Sequence, residues 1–127
     1  MSRRGAAAIE LALAVGVIAL MLGAVLDYGL YMRDLSYASL AVREAARVGA
    51  QTAMSAGPEE AAEARLADVL AEMGFADRPR TADARLLGAS PDVGIAVSLD
   101  LAYTPIVGLV AVPDAARATI TMRMQGQ

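Results

Sequence analysis

The amino-acid sequence predicts an α+β protein: a long N-terminal helix, a second short helix and a small antiparallel β-sheet. Three observations lead to this fold class. The chain opens with a long uncharged apolar run, and apolar residues then recur at helical spacing as far as residue 73. Two later segments alternate strictly between apolar and polar residues, as strands with one buried face do.

The first predicted element is a helix apolar and long enough to cross a membrane. Residues 11–26 read LALAVGVIALMLGAVL, and within residues 6–26 the only charged side chain is Glu10. About 20 apolar residues, each rising 1.5 Å, cross the hydrocarbon core of a bilayer. Residues 6–26 are therefore predicted to be a transmembrane helix that contacts membrane lipid. Arg3 and Arg4 precede it, and no basic excess follows it, so we expect a cytoplasmic N-terminus and an extracytoplasmic remainder.

Glu10 has two interpretations. A glutamate this close to a helix start can reach the membrane interface and is favoured by the positive end of the helix dipole. This interpretation leaves unexplained the Arg3-Arg4-Gly5 leader and the three alanines that directly follow it, residues 6–8. A secretory signal peptide fits poorly, because its cleavage motif would place Leu22 where a small residue is required.

The N-terminus resembles a type IV prepilin signal, in which a short basic leader ends in glycine and a glutamate is the fifth residue after it. Gly5 and Glu10 occupy those positions here. The resemblance implies that a prepilin peptidase removes residues 1–5 by cutting between Gly5 and Ala6. It also implies that Glu10 of one subunit pairs with the freed Ala6 amine of a neighbour, because each charge would otherwise be unpaired in a low dielectric.

Two downstream motifs narrow the resemblance to TadE-like proteins, the minor pilins or pseudopilins of the tight-adherence (Flp-type) pilus. Asp27-Tyr28-Gly29 resembles the acidic–aromatic–glycine element that ends the apolar helix in that family. Residues 41–50, AVREAARVGA, resemble its second helical motif. The resemblance implies a structural or assembly-priming subunit for adhesion and surface attachment, in the bacterial cytoplasmic membrane or the pilus fibre. Its implied partners are the peptidase, other pilin-like subunits and the Tad assembly machinery.

The first helix is predicted to continue outside the membrane through residues 27–56, which contain no proline. Apolar and small residues follow helical spacing there, at Leu35, Ala38, Val42, Ala45, Ala46 and Gly49. The charged motif residues lie mostly off this stripe, at Arg43, Glu44 and Arg47. Their spacing favours a solvated face with a pair between Glu44 and Arg47. A contact with another pilus subunit is the alternative.

Residues 57–127 are predicted to form a small extracytoplasmic α+β domain. Gly57 and Pro58 indicate the start of a second helix, whose apolar face comprises Ala62, Leu66, Val69, Leu70 and Met73 and which ends at Gly74. Residues 76–92 are expected to be a loop with at most a short strand near 85–88. Residues 93–103 and 117–124 alternate and predict an antiparallel pair. The apolar connection 105–113 is expected to cover the core, contact a partner subunit or dip into the membrane surface.

Composition argues against several other classes of protein. The sequence contains no Cys, His, Lys, Trp or Asn, which excludes disulfides, thiolate or histidine catalysis and lysine Schiff bases. Scattered arginines and a net charge of −3 argue against nucleic-acid binding. The aspartates lack a calcium-loop spacing. We therefore expect no enzymatic activity, cofactor, metal or small-molecule substrate. The alternative function is a single-pass anchored extracytoplasmic binding or accessory protein that does not polymerise.

Overall fold

The computed structural model describes residues 3–89 and 92–125, and for Arg3 and Arg4 only the backbone. Its elements are helix α1 (Arg3–Gln51), a 3-10 turn (Met54–Ala56), helix α2 (Pro58–Glu72) and strands β1 (Arg80–Leu87), β2 (Gly94–Ala102) and β3 (Ala115–Arg123). The strands form one antiparallel sheet in the order β1-β2-β3. The predicted α+β fold class is confirmed.

Helix α1 has two halves with different surroundings. Residues 5–22 are exposed around the whole circumference, and from Gly23 onward one face is buried. The bare half coincides with the apolar run; its most apolar 18-residue window has a mean hydropathy of 2.5 and is only 6% buried. A helix that packed inside a soluble domain would be mostly covered. The bare half therefore fits a single-pass membrane anchor.

The second half of α1 carries the core. Its buried stripe consists of small residues, chiefly Ala38, Ala41, Val42, Ala45, Ala46 and Ala50. Larger side chains reach this stripe from α2 and β2, with Leu66, Leu70, Ile95, Leu99 and Leu101 fully buried. The stripe predicted from spacing is confirmed. Since alanines fill little volume, α2 and the sheet approach the α1 backbone closely.

α1 ends at Gln51, five residues before the predicted end of the helix. The following residues reverse the chain, since α2 has to pack back against α1; Gly57 adopts the left-handed region there, with φ 68°. α2 begins at Pro58, as predicted, and Gly74, with φ 81°, follows its C-cap residue Met73. The sequence favoured a longer α1 because residues 52–56 include no helix breaker.

At Gly49, both α2 and β2 approach the α1 backbone closely. A Cβ atom there would lie 2.5 Å from Ile95 Cδ1, 3.0 Å from Ala62 Cβ and 3.0 Å from the Pro58 carbonyl oxygen. Gly49→Val should lower the unfolding free energy by about 1–3 kcal/mol, the usual cost of overpacking a filled core. Chemical denaturation in detergent measures this loss. Gly29→Val is the matched control, since nothing lies within 4 Å of a Cβ at Gly29; equal losses would contradict the packing explanation.

The sheet is larger than the sequence predicted. β2 and β3 pair antiparallel as expected, with registers from Gly94↔Arg123 to Ala102↔Ala115. The segment expected to be a loop with at most a short strand instead contains the eight-residue β1, paired with β2. β1 lacks an alternating signal because it is an edge strand with Ala84 as its only buried residue. Glu59 of α2 accepts the Leu86 N–H at 2.8 Å, which joins this edge to the helix.

Candidate functional site

The sheet lies along the second half of α1 and is joined to it at both ends. At the far end, the Gln125 N–H donates to the Ala50 carbonyl oxygen at 3.0 Å. At the near end, Tyr103 and the connection between β2 and β3 meet α1 beside the bare apolar half. We call residues 104–113 the junction loop. This end of the domain holds the residues of the predicted Asp27-Tyr28-Gly29 motif.

Asp27 binds the backbone of the junction loop. Its carboxylate is fully buried and accepts the N–H groups of Ile106 at 2.8 Å, Val107 at 3.0 Å and Gly108 at 2.9 Å. These hydrogen bonds, led by the one from Val107, lower the pKa of Asp27, although burial acts in the opposite direction. The charge is thus stabilised by peptide dipoles, and the loop is fixed to the helix.

Two tyrosines hold the ends of the junction loop. The Tyr103 hydroxyl donates to the Asp27 backbone carbonyl at 2.7 Å, and its ring meets Tyr31 edge-on with centroids 5.6 Å apart. Burial, and then the nearby charge of Asp27, raise the pKa of Tyr103. At the other end, the Tyr28 hydroxyl donates to the Ala111 carbonyl oxygen at 3.1 Å.

The tip of the junction loop lies directly on the apolar run. A Cβ at Gly23 would be 2.9 Å from Val107 Cγ1 and 3.6 Å from Leu109 Cδ1. Gly108 turns the tip through the left-handed region, with φ 67°. Ile106 and Leu109 remain 77% and 60% exposed, and residues 104–113 do not belong to the hydrophobic core cluster, so the loop lies over Gly23 and Asp27 of α1 and not over that cluster. The loop covers Gly23 of α1 chiefly through Val107, and it leaves Ile106 and most of Leu109 exposed.

A second buried carboxylate, Asp34, was missed at the level of sequence. It is fully buried and pairs with Arg33 at 2.9 Å and with Arg78, whose guanidinium lies 5.0 Å from the centre of the Phe75 ring. The spacing in the sequence indicates this burial, since Asp34 is seven residues after Asp27 and therefore lies on the same face of the helix. The buried stripe thus continues towards the membrane half through polar residues.

The second family motif lies farther along α1. Arg47 donates to Glu44 at 2.8 and 3.0 Å, which confirms the pair predicted from spacing. Arg65 of α2 also approaches Glu44, at 3.6 Å, so the carboxylate links the two helices. The Arg47 hydrogen bond is the main cause that lowers the pKa of Glu44. Arg43 is exposed, and Gly29 has open space beside it.

The predicted processing and assembly residues lie in the bare half of α1, far from the junction loop. Gly5, Ala6 and Glu10 are helical and exposed. Within residues 3–89 and 92–125, no hydrogen bond or ion pair involves the Glu10 carboxylate. The side chains of Arg3 and Arg4 lie outside the described part of the chain. In the described ranges, no group of three or more acidic residues has an arrangement that could hold a metal.

Comparison with known protein families identifies part of this chain. Residues 5–47 match the family model described as TadE-like protein. No curated protein and no solved structure matches the chain. The matched range contains Glu10, the Asp27-Tyr28-Gly29 motif and the motif with Arg43, Glu44 and Arg47. The resemblance predicted from these motifs is confirmed, and residues 5–47 form a TadE-like segment.

Proposed function

We propose that the protein is a minor pilin or pseudopilin of a tight-adherence pilus, acting as a structural or assembly-priming subunit in adhesion. Residues 6–26 anchor it in the bacterial cytoplasmic membrane with the N-terminus in the cytoplasm. A prepilin peptidase removes residues 1–5. The TadE-like match over residues 5–47 supports this assignment, because it includes the proposed cleavage site, the membrane half of α1 and both motifs.

The observation that carries the proposal is the bare apolar half of α1 with Glu10 exposed on it. An ionisable group in a membrane helix is costly unless it finds a partner, with a cost of about 2.5–3.5 kcal/mol at the helix centre and less near the interface. The described chain offers Glu10 no such partner. Cleavage after Gly5 would create one in the Ala6 amine of a neighbouring subunit, so the same residue would favour helix association and set its register.

The folded domain has a structural part in this proposal. α1 runs without a break from the membrane half into the domain, and the domain is joined to it by Asp27 near the membrane and by Ala50 at the far end. Movement of the anchor would therefore be transmitted to the surface that the domain presents. A packing subunit of this kind needs no catalytic group or cofactor.

N-terminal mass spectrometry of the protein, purified from its native membrane, tests the processing step. The expected chain begins at Ala6, because cleavage follows Gly5. Gly5→Leu should retain the leader, since the peptidase is expected to require a residue without a side chain. A wild-type chain that retains residues before Ala6, in cells with an active prepilin peptidase, would refute the proposed processing.

A further inference from the structure

We propose that the tip of the junction loop, with Ile106 and Leu109, inserts into the lipid headgroup region next to the extracytoplasmic end of the membrane helix. This inference rests on the proposed membrane span of residues 6–26, and it assigns the loop a ligand of its own. The ligand is bilayer lipid. The loop would act as a second, shallow anchor that sets how deeply the folded domain sits on the membrane.

The first argument is position along the helix axis. Val107 and Leu109 lie against Gly23, three residues before the last apolar residue of the span, Leu26. At 1.5 Å per residue, this separation is about 4.5 Å along the axis. The loop tip therefore lies level with the last turn of the apolar run, where a membrane helix meets the interface.

The second argument is continuity of the apolar surface. Ile106 and most of Leu109 are exposed, and so is Leu26, which follows Gly23 by three residues and lies about 60° from it around α1. No charged residue occurs between Tyr103 and Asp114. The loop thus extends the lipid-facing surface of α1 sideways. Tyr28, partly exposed at the same level, is an aromatic residue of the kind enriched at membrane interfaces.

The third argument is the hydrogen bonding of the loop backbone. Irregular backbone enters a region poor in water only when its polar groups find partners within the protein. Asp27 accepts the N–H groups of residues 106–108, and Tyr28 donates to the Ala111 carbonyl oxygen. Pro105 and Pro113, at the two ends of the apolar sequence, have no N–H group. These four hydrogen bonds lie on the helix side of the loop, whereas Ile106 and most of Leu109 remain exposed.

Tryptophan fluorescence can test this placement, because the chain contains no native tryptophan. Full-length Ile106→Trp and Leu109→Trp are reconstituted separately into phosphatidylcholine vesicles, with and without lipids brominated near the headgroup. Both positions are exposed, so the larger side chain does not disturb the core. Met54→Trp is the matched control, since Met54 is an exposed apolar residue in the turn at the far end of the domain.

We expect the tryptophans at 106 and 109 to emit at shorter wavelength, to lose most of their emission in brominated lipid and to be protected from aqueous iodide. The control should be quenched by iodide and unaffected by bromine. Short-wavelength emission without bromine quenching would place another protein copy on the loop and overturn the proposal. Iodide quenching at both loop positions, or equal bromine quenching of the control, would also overturn it. These vesicles contain no pilus machinery, so such a failure would leave the proposed function standing, whereas failed N-terminal processing would not change this readout.

Discussion

Glu10→Ala is expected to leave cleavage between Gly5 and Ala6 intact and to abolish incorporation of the protein into pili. The variant keeps the leader, the glycine and the apolar span that the peptidase is proposed to recognise. It removes the carboxylate that would pair with the Ala6 amine of a neighbour, which leaves that ammonium unpaired against hydrocarbon. Mass spectrometry of the membrane fraction reports cleavage, and immunoblotting of sheared fibres reports incorporation.

Two further variants define the cause of this loss. Glu10→Gln keeps the size of the side chain and removes its charge, so it should fail in the same way. Leu13→Ala changes another exposed residue of the bare helix and should be incorporated normally. Normal incorporation of Glu10→Ala would contradict the pairing role. A wild-type protein that is neither found in fibres nor required for their assembly would instead favour the anchored accessory protein that does not polymerise.

Asp27→Ala is expected to release the junction loop from α1. The change removes the acceptor of three backbone N–H groups at once, and no other side chain accepts from residues 106–108 in the described chain. Limited elastase digestion in detergent should cut within residues 105–112 roughly tenfold faster or more, since hydrogen bonds to a charged acceptor are strong enough to shift a local opening by that factor.

Three further variants test whether the faster cutting in Asp27→Ala comes from the loss of its hydrogen bonds to the junction loop. Asp100→Ala removes an exposed carboxylate of β2 and should leave the cutting rate unchanged. Asp27→Asn should resemble Asp27→Ala in part, because one of its two oxygen acceptors becomes an NH2 donor. Tyr103→Phe removes only the hydroxyl bond to the Asp27 carbonyl and should have an intermediate effect. Unchanged cutting in Asp27→Ala would show that the loop is held by apolar contact alone.

The hydrogen bonds that Asp27 accepts from the junction loop also predict that the hold of this loop on α1 depends on pH. Because the folded-state pKa of Asp27 is lowered from its ordinary value of 3.8, the carboxylate stabilises the folded chain at pH values above 3.8. This contribution is lost as the pH falls through the lowered folded-state pKa. The difference in cutting rate between wild type and Asp27→Ala, measured with an acid-tolerant protease, should therefore be constant from neutral pH to about pH 4 and shrink below it.

Periodicity predicted most of the fold because α2, β2, β3 and the second half of α1 each bury one regular face. It did not predict the full length of β1, since an edge strand with little burial carries almost no apolar pattern. Local sequence pattern could not predict the contact between Asp27 and the junction loop, because the residues that donate to Asp27 lie 79 to 81 positions away in the sequence. Family resemblance drew attention to Asp27 and Tyr28, but their contacts became visible only when the chain was folded.

The unbroken course of α1 also fixes the angular relation between the assembly residue and the junction loop. Glu10 and Asp27 are 17 residues apart in one continuous helix. At 3.6 residues per turn this is about 4.7 turns, which leaves the two side chains about 100° apart around the axis. A neighbouring helix that approaches through Glu10 would therefore meet a different side of α1 from the one under the loop. Helix association and the lipid contact of the loop could then persist in the same subunit.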